Sequence, residues 1–325
     1  MPKVAILHHN DGDGIGSAMI VAFAKKLNKD EVLFHGITYG QPVPHDKLKD
    51  ANEIYIVDFS IQPAEEMRDF CEKYDGKVTW IDHHETSIDA SKEFKEIRTV
   101  PGVRESTPEK AACLLTWEFF FQDQKPPKVI KYLSKYDVWQ DENKDEWENL
   151  TMPIQMLQRA KLHDTDKSYY LWMSLLGEGG DEELMKLLDM GRAIYDYTKI
   201  DNKLKAKAHV FRGTFAGHTA LIANVRGSTQ FFDSVINKFE PTEVLVLFAL
   251  FKEGFWTTSI YKGKAGGVHC GELAKKLGAE GPKKSGGGHA DAAGFQATWE
   301  QLDRYIVRDD DKNAVWTRLA DKVKD

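Results

Sequence analysis

The chain has 325 residues, more than a single hydrophobic core usually serves, so two domains are expected. Apolar residues make up 42 % of it and charged residues 29 %, values that predict an ordinary soluble globular protein. No run of about 18 apolar residues occurs, which excludes an apolar transmembrane helix. The formal net charge of -7 argues against non-specific binding to long nucleic-acid duplexes, although it leaves a nucleotide substrate open.

The three cysteines, Cys71, Cys113 and Cys270, stand far apart in the chain. Their odd number and wide spacing favour buried free thiols over disulfides or a zinc cluster. The N-terminal segment turns polar at His8, so we expect no signal peptide. A reducing compartment, the cytoplasm, is the predicted location.

The first 100 residues alternate short apolar segments with helical patterns. We predict strands at 3–7, 31–34, 53–57 and 77–81, with helices at 15–27 and 63–74. Strand–helix–strand alternation predicts a mostly parallel sheet flanked by helices. Sheets of this kind place ligand sites beyond the carboxyl ends of their strands.

A helical region and a smaller C-terminal α/β domain are predicted to follow. Helical patterns dominate residues 107–208; one helix begins at Thr107, and a long charged helix at 181–208 ends in the connector between the domains. Strands are predicted at 210–215, 219–225, 243–251 and 255–261, and helices near 299–307 and 312–323. The predicted domains are residues 1–200 and 211–325.

Histidine and aspartate follow three of the predicted strands. The first strand runs into residues 8–14, His-His-Asn-Asp-Gly-Asp-Gly; Asp58 follows the third strand and Asp82-His83-His84 the fourth. An acidic turn that caps a helix would explain one such segment. Carboxylates gathered at one sheet edge, however, repel each other unless cations neutralise them. Mixed Asp and His ligands favour manganese or a similar ion over calcium, and the absence of cysteine disfavours structural zinc.

A second polar motif lies near the C-terminus. Residues 283–289 read Lys-Lys-Ser-Gly-Gly-Gly-His and offer successive backbone N–H groups, two cations and a histidine, which suit a phosphate or another anion. A flexible surface loop is the alternative. Six lysines stand against two glutamates between residues 255 and 289, a local net charge of +4. Phe231 and Phe232 would suit stacking on a base, although helix core is the simpler interpretation.

Five motifs, taken together, resemble those of the DHH phosphoesterase superfamily. Asp82-His83-His84 resembles its name-giving motif, residues 9–13 its first motif, Val57-Asp58 its second and residues 136–139, Tyr-Asp-Val-Trp, its fourth. Residues 286–295, Gly-Gly-Gly-His-Ala-Asp-Ala-Ala-Gly-Phe, resemble the signature of the associated DHHA1 domain. These motifs appear in order from residue 9 to residue 294, so the resemblance covers nearly the whole chain.

The resemblance implies two divalent metal ions, most simply Mn²⁺, with Mg²⁺ or Co²⁺ as alternatives. One ion would be held by His9, Asp11 and Asp58. The other would be held by Asp13, Asp58, His83 and Asp137, with Asp58 bridging the two. Asp82 would orient a ligand, and His84 would face the substrate phosphate.

One position departs from the pattern of several branches, in which the first histidine lies four residues before the first aspartate. Leu7 occupies that position here, whereas His9 fits other branches. His8 is a weaker substitute because strand alternation would point its side chain the other way.

The DHHA1 resemblance also implies a set of substrate-binding residues: Lys262, Ser285, Gly286, Gly287, Gly288 and His289. The family often has an arginine after a Ser-rich strand in this domain. Tyr261 stands in that place here, so Lys262 or Lys264 would take over the phosphate contact.

The short two-domain layout resembles nano-RNases, which degrade oligonucleotides of a few residues. The expected function is hydrolysis of short single-stranded oligonucleotides or small nucleotide phosphodiesters by a water activated by two metals. Relatives that act on 3′-phosphoadenosine 5′-phosphate or on linear and cyclic dinucleotides stay open as alternatives, as does a homodimer, and no membrane partner is expected. Two other branches of the superfamily are disfavoured. The long single-strand exonucleases carry extra domains, and the inorganic pyrophosphatases have a different C-terminal domain. A non-catalytic nucleotide sensor would be expected to have lost metal ligands, yet every expected position is filled.

Overall fold

The computed structural model describes residues 3–39, 41–226, 241–251, 254–284 and 286–308. The chain divides into two compact units, unit 1 over residues 1–196 and unit 2 over residues 197–325.

Unit 1 contains a parallel four-stranded sheet in the order β2-β1-β3-β4. Its strands are β1 (Val4–His9), β2 (Val32–Ile37), β3 (Glu53–Val57) and β4 (Val78–Ile81). The sheet is buried on both faces, as is usual for parallel sheets. Val4 and Ile6 of β1 pack into one core cluster, whereas Ala5 and Leu7 pack into another on the opposite face. The first core also contains Trp172, and the second contains Trp80.

Helices cover both faces of this sheet and then form the rest of unit 1. They are α1 (Gly12–Ala24), α2 (His45–Leu48), α3 (Ala64–Lys73), α4 (Glu85–Ser91), α5 (Lys95–Arg98), α6 (Ala112–Phe121), α7 (Lys128–Asp137), α8 (Lys144–Glu146), α9 (Met152–Leu157), α10 (Thr165–Leu176) and α11 (Gly180–His209), whose C-terminal part continues into unit 2. Two π-helical turns, Trp147–Thr151 and Gln158–Leu162, flank α9. Because α1 is rich in Gly, Ser and Ala, it lies close to its neighbours, and residues 12–22 are all buried.

Unit 2 is built on a mixed sheet, whose order in the described residues is β11-β5-β6-β7-β8-β10-β9. Its strands are β5 (Val210–Phe215), β6 (His218–Ala223), β7 (Val244–Leu250), β8 (Trp256–Lys262), β9 (Gly286–Gly288), β10 (Ala292–Ala297) and β11 (Ile306–Arg308), with helices α12 (Cys270–Gly278) and α13 (Trp299–Tyr305). Among these strands only β6 and β7 pair in parallel. The core contains Phe215, Phe248 and Phe295.

The predicted fold class is confirmed: a parallel sheet flanked by helices, a helical region and a second domain built on a sheet. The predicted strands at 53–57 and 210–215 match the observed bounds, and the long helix extends one residue beyond its prediction at each end. Strands β9, β10 and β11 and helix α12 were not predicted. The predicted helix at 312–323 lies outside the described residues.

The predicted helix start at Thr107 is wrong. Residues 107–110 form a turn, with an isolated bridge between Thr107 and Lys110, and α6 begins only at Ala112. The reason is a tertiary cap. The N–H groups of Ala112 and Cys113 donate to the carboxylate of Asp13, at 2.8 and 2.7 Å, and so fix the N-terminus of α6 at Ala112.

Candidate metal centre

The carboxyl ends of β1, β3 and β4 meet at one edge of the sheet of unit 1. Because the three strands are neighbours and parallel, His8 pairs with Val57 and Val57 with Ile81. The residues that follow, from His9, Asp58 and Asp82 onward, therefore lie side by side. Helix α7 adds Asp137, its last residue, to the same place.

The six predicted metal ligands fall into two groups. The ligand atoms of His9, Asp11 and Asp58 all lie within 4.8 Å of one another, as do those of Asp13, His83 and Asp137. Asp58 connects the groups, because its Oδ1 lies 3.4 Å from His83 Nε2 and its Oδ2 lies 3.9 Å from His9 Nδ1. His83 Nε2 is also 3.3 Å from Asp137 Oδ2 and 3.7 Å from Asp13 Oδ2. The fold thus places one carboxylate between two sets of potential ligands.

Asp58 has a buried carboxylate that lacks hydrogen-bond donors in the part of the chain that the structure describes. It is 1 % exposed, and neither carboxylate oxygen accepts a hydrogen bond from the described residues. Burial and the nearby carboxylates, Asp13 and Asp11 foremost, raise its pKa well above the usual range. Its φ of 53° is in the left-handed region, a strained conformation found at functional sites. A buried carboxylate without donors is costly, and divalent cations would remove that cost, so the residues present fit a metal centre.

Two of the other aspartates are held in place by backbone N–H groups. Asp13 receives the two bonds from the start of α6 described above. Asp11 caps α1 by accepting from Gly14 N at 2.9 Å, and its other oxygen lies 2.5 Å from His9 Nδ1. Gly14 is required here, because a Cβ at that position would lie 2.4 Å from the His9 carbonyl oxygen. Burial acts to raise the pKa of Asp11, but the charge and hydrogen bond of His9 and the Gly14 N–H together outweigh burial and lower it.

Asp82 and His84 form an ion pair beside these groups. Asp82 Oδ1 accepts from the backbone N–H of His83 at 2.8 Å, and His84 Nδ1 lies 2.7 Å from it. The segment after α5 holds Asp82 in turn, because Asp82 N donates to Val103 O at 3.0 Å. Burial opposes a charge on His84, but the charge and hydrogen bond of Asp82, together with the charges of Asp137 and Asp11, outweigh burial and raise the pKa of His84 to about 9. A cationic imidazole therefore lies 3.8 Å from Asp58 Oδ1.

His8 and Tyr39 complete the surroundings of the centre. His8 is buried, its Nδ1 lies 2.7 Å from the His9 carbonyl oxygen, and it belongs to neither ligand group. The ring of Tyr39 lies 6.1 Å from that of His9 and 6.3 Å from that of His84. Burial and the charges of nearby aspartates raise the pKa of Tyr39. The sequence analysis missed Tyr39. It lies two residues beyond β2, and ligand sites are expected beyond the carboxyl ends of these strands.

The predicted substrate-binding residues lie in unit 2. Gly286, Gly287 and Gly288, expected in a loop, form the edge strand β9. Glycine at 286 permits close packing on α12, because a Cβ there would lie 2.2 Å from the Ala274 carbonyl oxygen. His289 follows the strand, and its N–H donates to Ala292 O at 2.8 Å.

The remaining residues singled out in unit 2 are cationic, hydroxylic or aromatic. Lys262 is engaged in an ion pair with Asp291, 2.8 Å from Nζ to Oδ1. Ser285, Phe231 and Phe232 lie outside the described residues. In the part of the chain that is described, no helix combines the length and apolar character needed to cross a membrane.

Comparison with known families agrees with this geometry. The model of the DHH family, N-terminal domain, matches residues 3–137, and that of the DHHA1 domain matches residues 204–308. The chain belongs to the DHH phosphoesterase superfamily. Members of the DHH superfamily are metal-dependent phosphoesterases and nucleases. The DHH match contains all six predicted metal ligands, and the DHHA1 match contains the Gly-Gly-Gly-His motif.

Individual relatives of this DHH–DHHA1 chain are distant. An uncharacterized protein of Acanthamoeba polyphaga mimivirus is 24 % identical over 214 residues, which cover 61 % of this chain and 45 % of that protein. The chain thus spans less than half the length of this curated relative.

Several solved structures are similar to this chain at low sequence identity. A DHH-domain structure described as a member of the s1p family of ribosomal proteins has a TM-score of 0.60 at 15 % identity, with 99 % of this chain and 86 % of that chain covered. The pGpG-specific phosphodiesterase PggH from Vibrio cholerae reaches 0.49 at 15 % identity, over 93 % and 96 % of the two chains. RecJ in complex with Mn²⁺, from Thermus thermophilus, reaches 0.46 at 15 % identity, over 93 % and 50 %.

Proposed function

We propose that this protein is a metal-dependent phosphodiesterase that hydrolyses short single-stranded oligonucleotides or small nucleotide phosphodiesters. The observation that carries the proposal is Asp58, a buried carboxylate with no hydrogen-bond donor among the described residues, lying between two groups of histidine and aspartate. Its surroundings are those of a carboxylate that bridges two cations. We assign residues 1–200 to the catalytic DHH domain and residues 211–325 to the substrate-binding DHHA1 domain.

The two groups divide the ligands between two ions. His9, Asp11 and Asp58 would hold one ion, and Asp13, Asp58, His83 and Asp137 the other. Mixed carboxylate and imidazole ligands suit Mn²⁺, with Mg²⁺ or Co²⁺ as alternatives. When bound, such ions lower the pKa of a water and offset negative charge on a phosphate.

The protein's own groups would position the reactants. The N-terminus of α6 fixes the Asp13 carboxylate, and burial lowers the pKa of His83, which favours the neutral imidazole that a metal ligand requires. Asp82 keeps His84 protonated, so His84 can donate a hydrogen bond to a phosphate oxygen. In the DHHA1 domain, Gly286, Gly287, Gly288 and His289, together with Ser285 and Lys262, are the proposed contacts to the remainder of the substrate. Lys262 would have to leave Asp291 to take part.

Charge favours a short substrate. The whole chain has a formal net charge of -7, and the net charge of +4 over residues 255–289 is local. A long strand would therefore bind little more tightly than a strand of a few nucleotides. The location we propose is the cytoplasm, since Cys71, Cys113 and Cys270 are buried free thiols.

A hydrolysis panel with Mn²⁺ tests the proposal. It compares dinucleotides, five-mers, long single strands, cyclic dinucleotides, 3′-phosphoadenosine 5′-phosphate and pyrophosphate. We expect the highest kcat/KM on two- to five-residue strands, loss of activity in chelator and recovery with Mn²⁺ more than with Ca²⁺. Highest kcat/KM on 3′-phosphoadenosine 5′-phosphate or a cyclic dinucleotide would identify the alternative activity.

Two substitutions distinguish loss of the metal centre from non-specific effects of a mutation. Asp58→Ala should abolish hydrolysis, whereas Asp50→Ala, at an exposed aspartate outside the centre, should leave it unchanged. Full activity in chelator, or in the Asp58→Ala protein, would refute the assignment. A folded wild type that binds these nucleotides and hydrolyses none would instead identify a nucleotide sensor.

A further inference from the structure

Trp139 has a backbone conformation that bulky residues rarely adopt. Its φ of 56° lies in the left-handed region, and among the described non-glycine residues with positive φ it alone carries an aromatic ring. Glycine usually occupies such positions, because it has no Cβ to collide with the following carbonyl oxygen. Strain of this kind persists only where the surrounding structure enforces it, and it is concentrated at functional sites. Trp139 lies two residues after Asp137, a proposed metal ligand.

The left-handed residue closes the C-terminus of helix α7. Two backbone hydrogen bonds form this end: Gln140 N donates to Lys135 O at 2.9 Å, and Trp139 N donates to Tyr136 O at 3.2 Å. The pattern is the Schellman motif, in which the left-handed position is most often a glycine. Asp137 is the last residue of α7, so the direction of its side chain depends on the helix keeping this end.

The carboxylate of Asp137 has little else to hold it in place. Its Oδ2 lies 3.3 Å from His83 Nε2, but no hydrogen bond to this carboxylate forms within the described residues. The carboxylates of Asp11 and Asp13, in contrast, accept hydrogen bonds from backbone N–H groups. The position of the Asp137 carboxylate is therefore set mainly by the backbone at the end of α7.

Two aromatic rings hold Trp139 in its conformation. The centre of the Trp139 ring lies 4.9 Å from that of Trp147, edge to face, and 5.8 Å from that of Tyr136. The rings of Tyr136 and Trp147 in turn stack at 12° from parallel. Trp147 is 2 % exposed and packs with Met156 in a core cluster of unit 1. Because aromatic pairs at such distances stabilise beyond the area that they bury, these contacts can offset the backbone strain at Trp139.

We propose that Trp139 is a positioning residue of the metal centre. The rings of Tyr136 and Trp147 hold it in the left-handed conformation, and that conformation fixes the end of α7 so that Asp137 faces the second ion, the one shared with His83. This inference rests on the proposed function, because it requires Asp137 to hold an ion. It implies that the ring acts through the backbone conformation that it enforces. A residue that adopts this conformation without a ring should therefore replace Trp139 in part.

Calorimetric titration of the metal-free protein with Mn²⁺ tests this role in three variants. Trp139→Ala removes the ring but keeps a Cβ that disfavours the left-handed conformation, so affinity for the second ion should fall roughly 10- to 100-fold. Trp139→Gly also removes the ring but adopts that conformation freely, so its affinity should stay within about fivefold of wild type. Trp139→Phe should lie between Trp139→Ala and wild type. In all three variants the first ion, held by His9, Asp11 and Asp58, should bind as it does in wild type.

The end of helix α1 provides a matched control. It has the same motif, with Lys26 in the left-handed position at a φ of 52°. Lys26 N donates to Phe23 O and Leu27 N to Ala22 O, each at 3.1 Å. The side chain of Lys26 is exposed and belongs to neither ligand group. Lys26→Ala and Lys26→Gly should therefore leave the affinity for both ions unchanged.

Hydrogen exchange in chelator reports on the end of α7 without any metal. The Gln140 N–H closes the helix, so its exchange, corrected for the intrinsic rate of each sequence, should be faster in Trp139→Ala than in wild type. In Trp139→Gly it should stay close to the wild-type rate. Thermal unfolding of each variant confirms that it is folded.

Three results would overturn the role of Trp139. Unchanged affinity for the second ion in Trp139→Ala would show that the ring is dispensable. Equal loss of both ions in that variant would indicate general damage to unit 1. A Trp139→Gly protein that binds the second ion no more tightly than Trp139→Ala would show that the ring acts by packing alone.

The titration also separates this inference from the proposed function. If wild type binds two ions, the variants follow the expected order and no substrate is hydrolysed, the role of Trp139 stands and the proposed activity falls. If wild type hydrolyses its substrates and Trp139→Ala binds both ions as wild type does, the proposed function stands and the role of Trp139 falls. A wild type that binds fewer than two ions would overturn both.

Discussion

Replacing Asp58 with asparagine should make the metal-free protein more stable and the metal-loaded protein less stable than wild type. The asparagine would retain the shape of the aspartate but carry no charge, so the change removes the buried carboxylate while leaving the packing in place. The free energy of unfolding of unit 1 should therefore change in opposite directions in chelator and in Mn²⁺.

The magnitude follows from the charges around Asp58. Burial and four carboxylates, those of Asp11, Asp13, Asp82 and Asp137, act together to raise its pKa. Like charges at 4.8 Å, the limit within each ligand group, repel by about 3 kcal/mol at an effective dielectric constant of about 20. Protonation of Asp58 limits the cost, so we expect a gain of about 1–3 kcal/mol in chelator. Each kcal/mol corresponds to roughly 2–4 °C in Tm for a unit of this size.

The pH dependence of metal-free wild type has a defined sign. A carboxyl whose pKa is raised on folding keeps a proton that the unfolded chain releases above about pH 4. Stability therefore falls as the pH rises from about 4 toward the raised pKa of Asp58. Asp58→Asn should flatten this decline, although Asp137, whose pKa is also raised by burial and by Asp13, keeps part of it.

Manganese should reverse the order of stabilities. A ligand at about 100 times its Kd stabilises the folded state by about 2.7 kcal/mol, and the Asp58→Asn protein would forfeit most of that gain. The assay is thermal unfolding of wild type, Asp58→Asn and the exposed control Asp50→Asn, in chelator and in Mn²⁺, at about pH 5 and about pH 8. Equal Mn²⁺ stabilisation of wild type and Asp58→Asn, or a less stable Asp58→Asn protein in chelator, would contradict the reasoning.

Three further predictions concern the surroundings of the centre. Asp82→Asn should lower kcat roughly 10- to 100-fold while metal analysis shows unchanged occupancy, because His84 loses the carboxylate that keeps it protonated; loss of metal would instead make Asp82 a ligand. His83→Ala should lose bound manganese, whereas His289→Ala should keep it and weaken substrate binding; equal losses would contradict this division. Trp80→Phe removes the hydrogen bond from the indole N–H to the Phe59 carbonyl oxygen (2.9 Å) at a fully buried site. It should lower the free energy of unfolding, measured in denaturant, by roughly 1–3 kcal/mol. An unchanged free energy of unfolding would mean that the bond is replaceable.

Much of the fold and of the metal centre was predictable from the sequence for one physical reason. Short apolar segments separated by helical patterns predict parallel strands, and parallel strands bring their carboxyl ends to one edge. His9, Asp58 and His83 each lie within two residues of such an end, so their proximity follows from topology alone. Motif resemblance added Asp137, which is the last residue of helix α7 and which strand periodicity does not reach.

Only the tertiary structure decided the features that depend on contacts between distant segments. Helix α6 begins at Ala112 because its cap is Asp13, 99 residues earlier, and no local pattern contains that bond. Residues 286–288 form a strand because β10 pairs with them and α12 packs on them, although three glycines have little strand propensity.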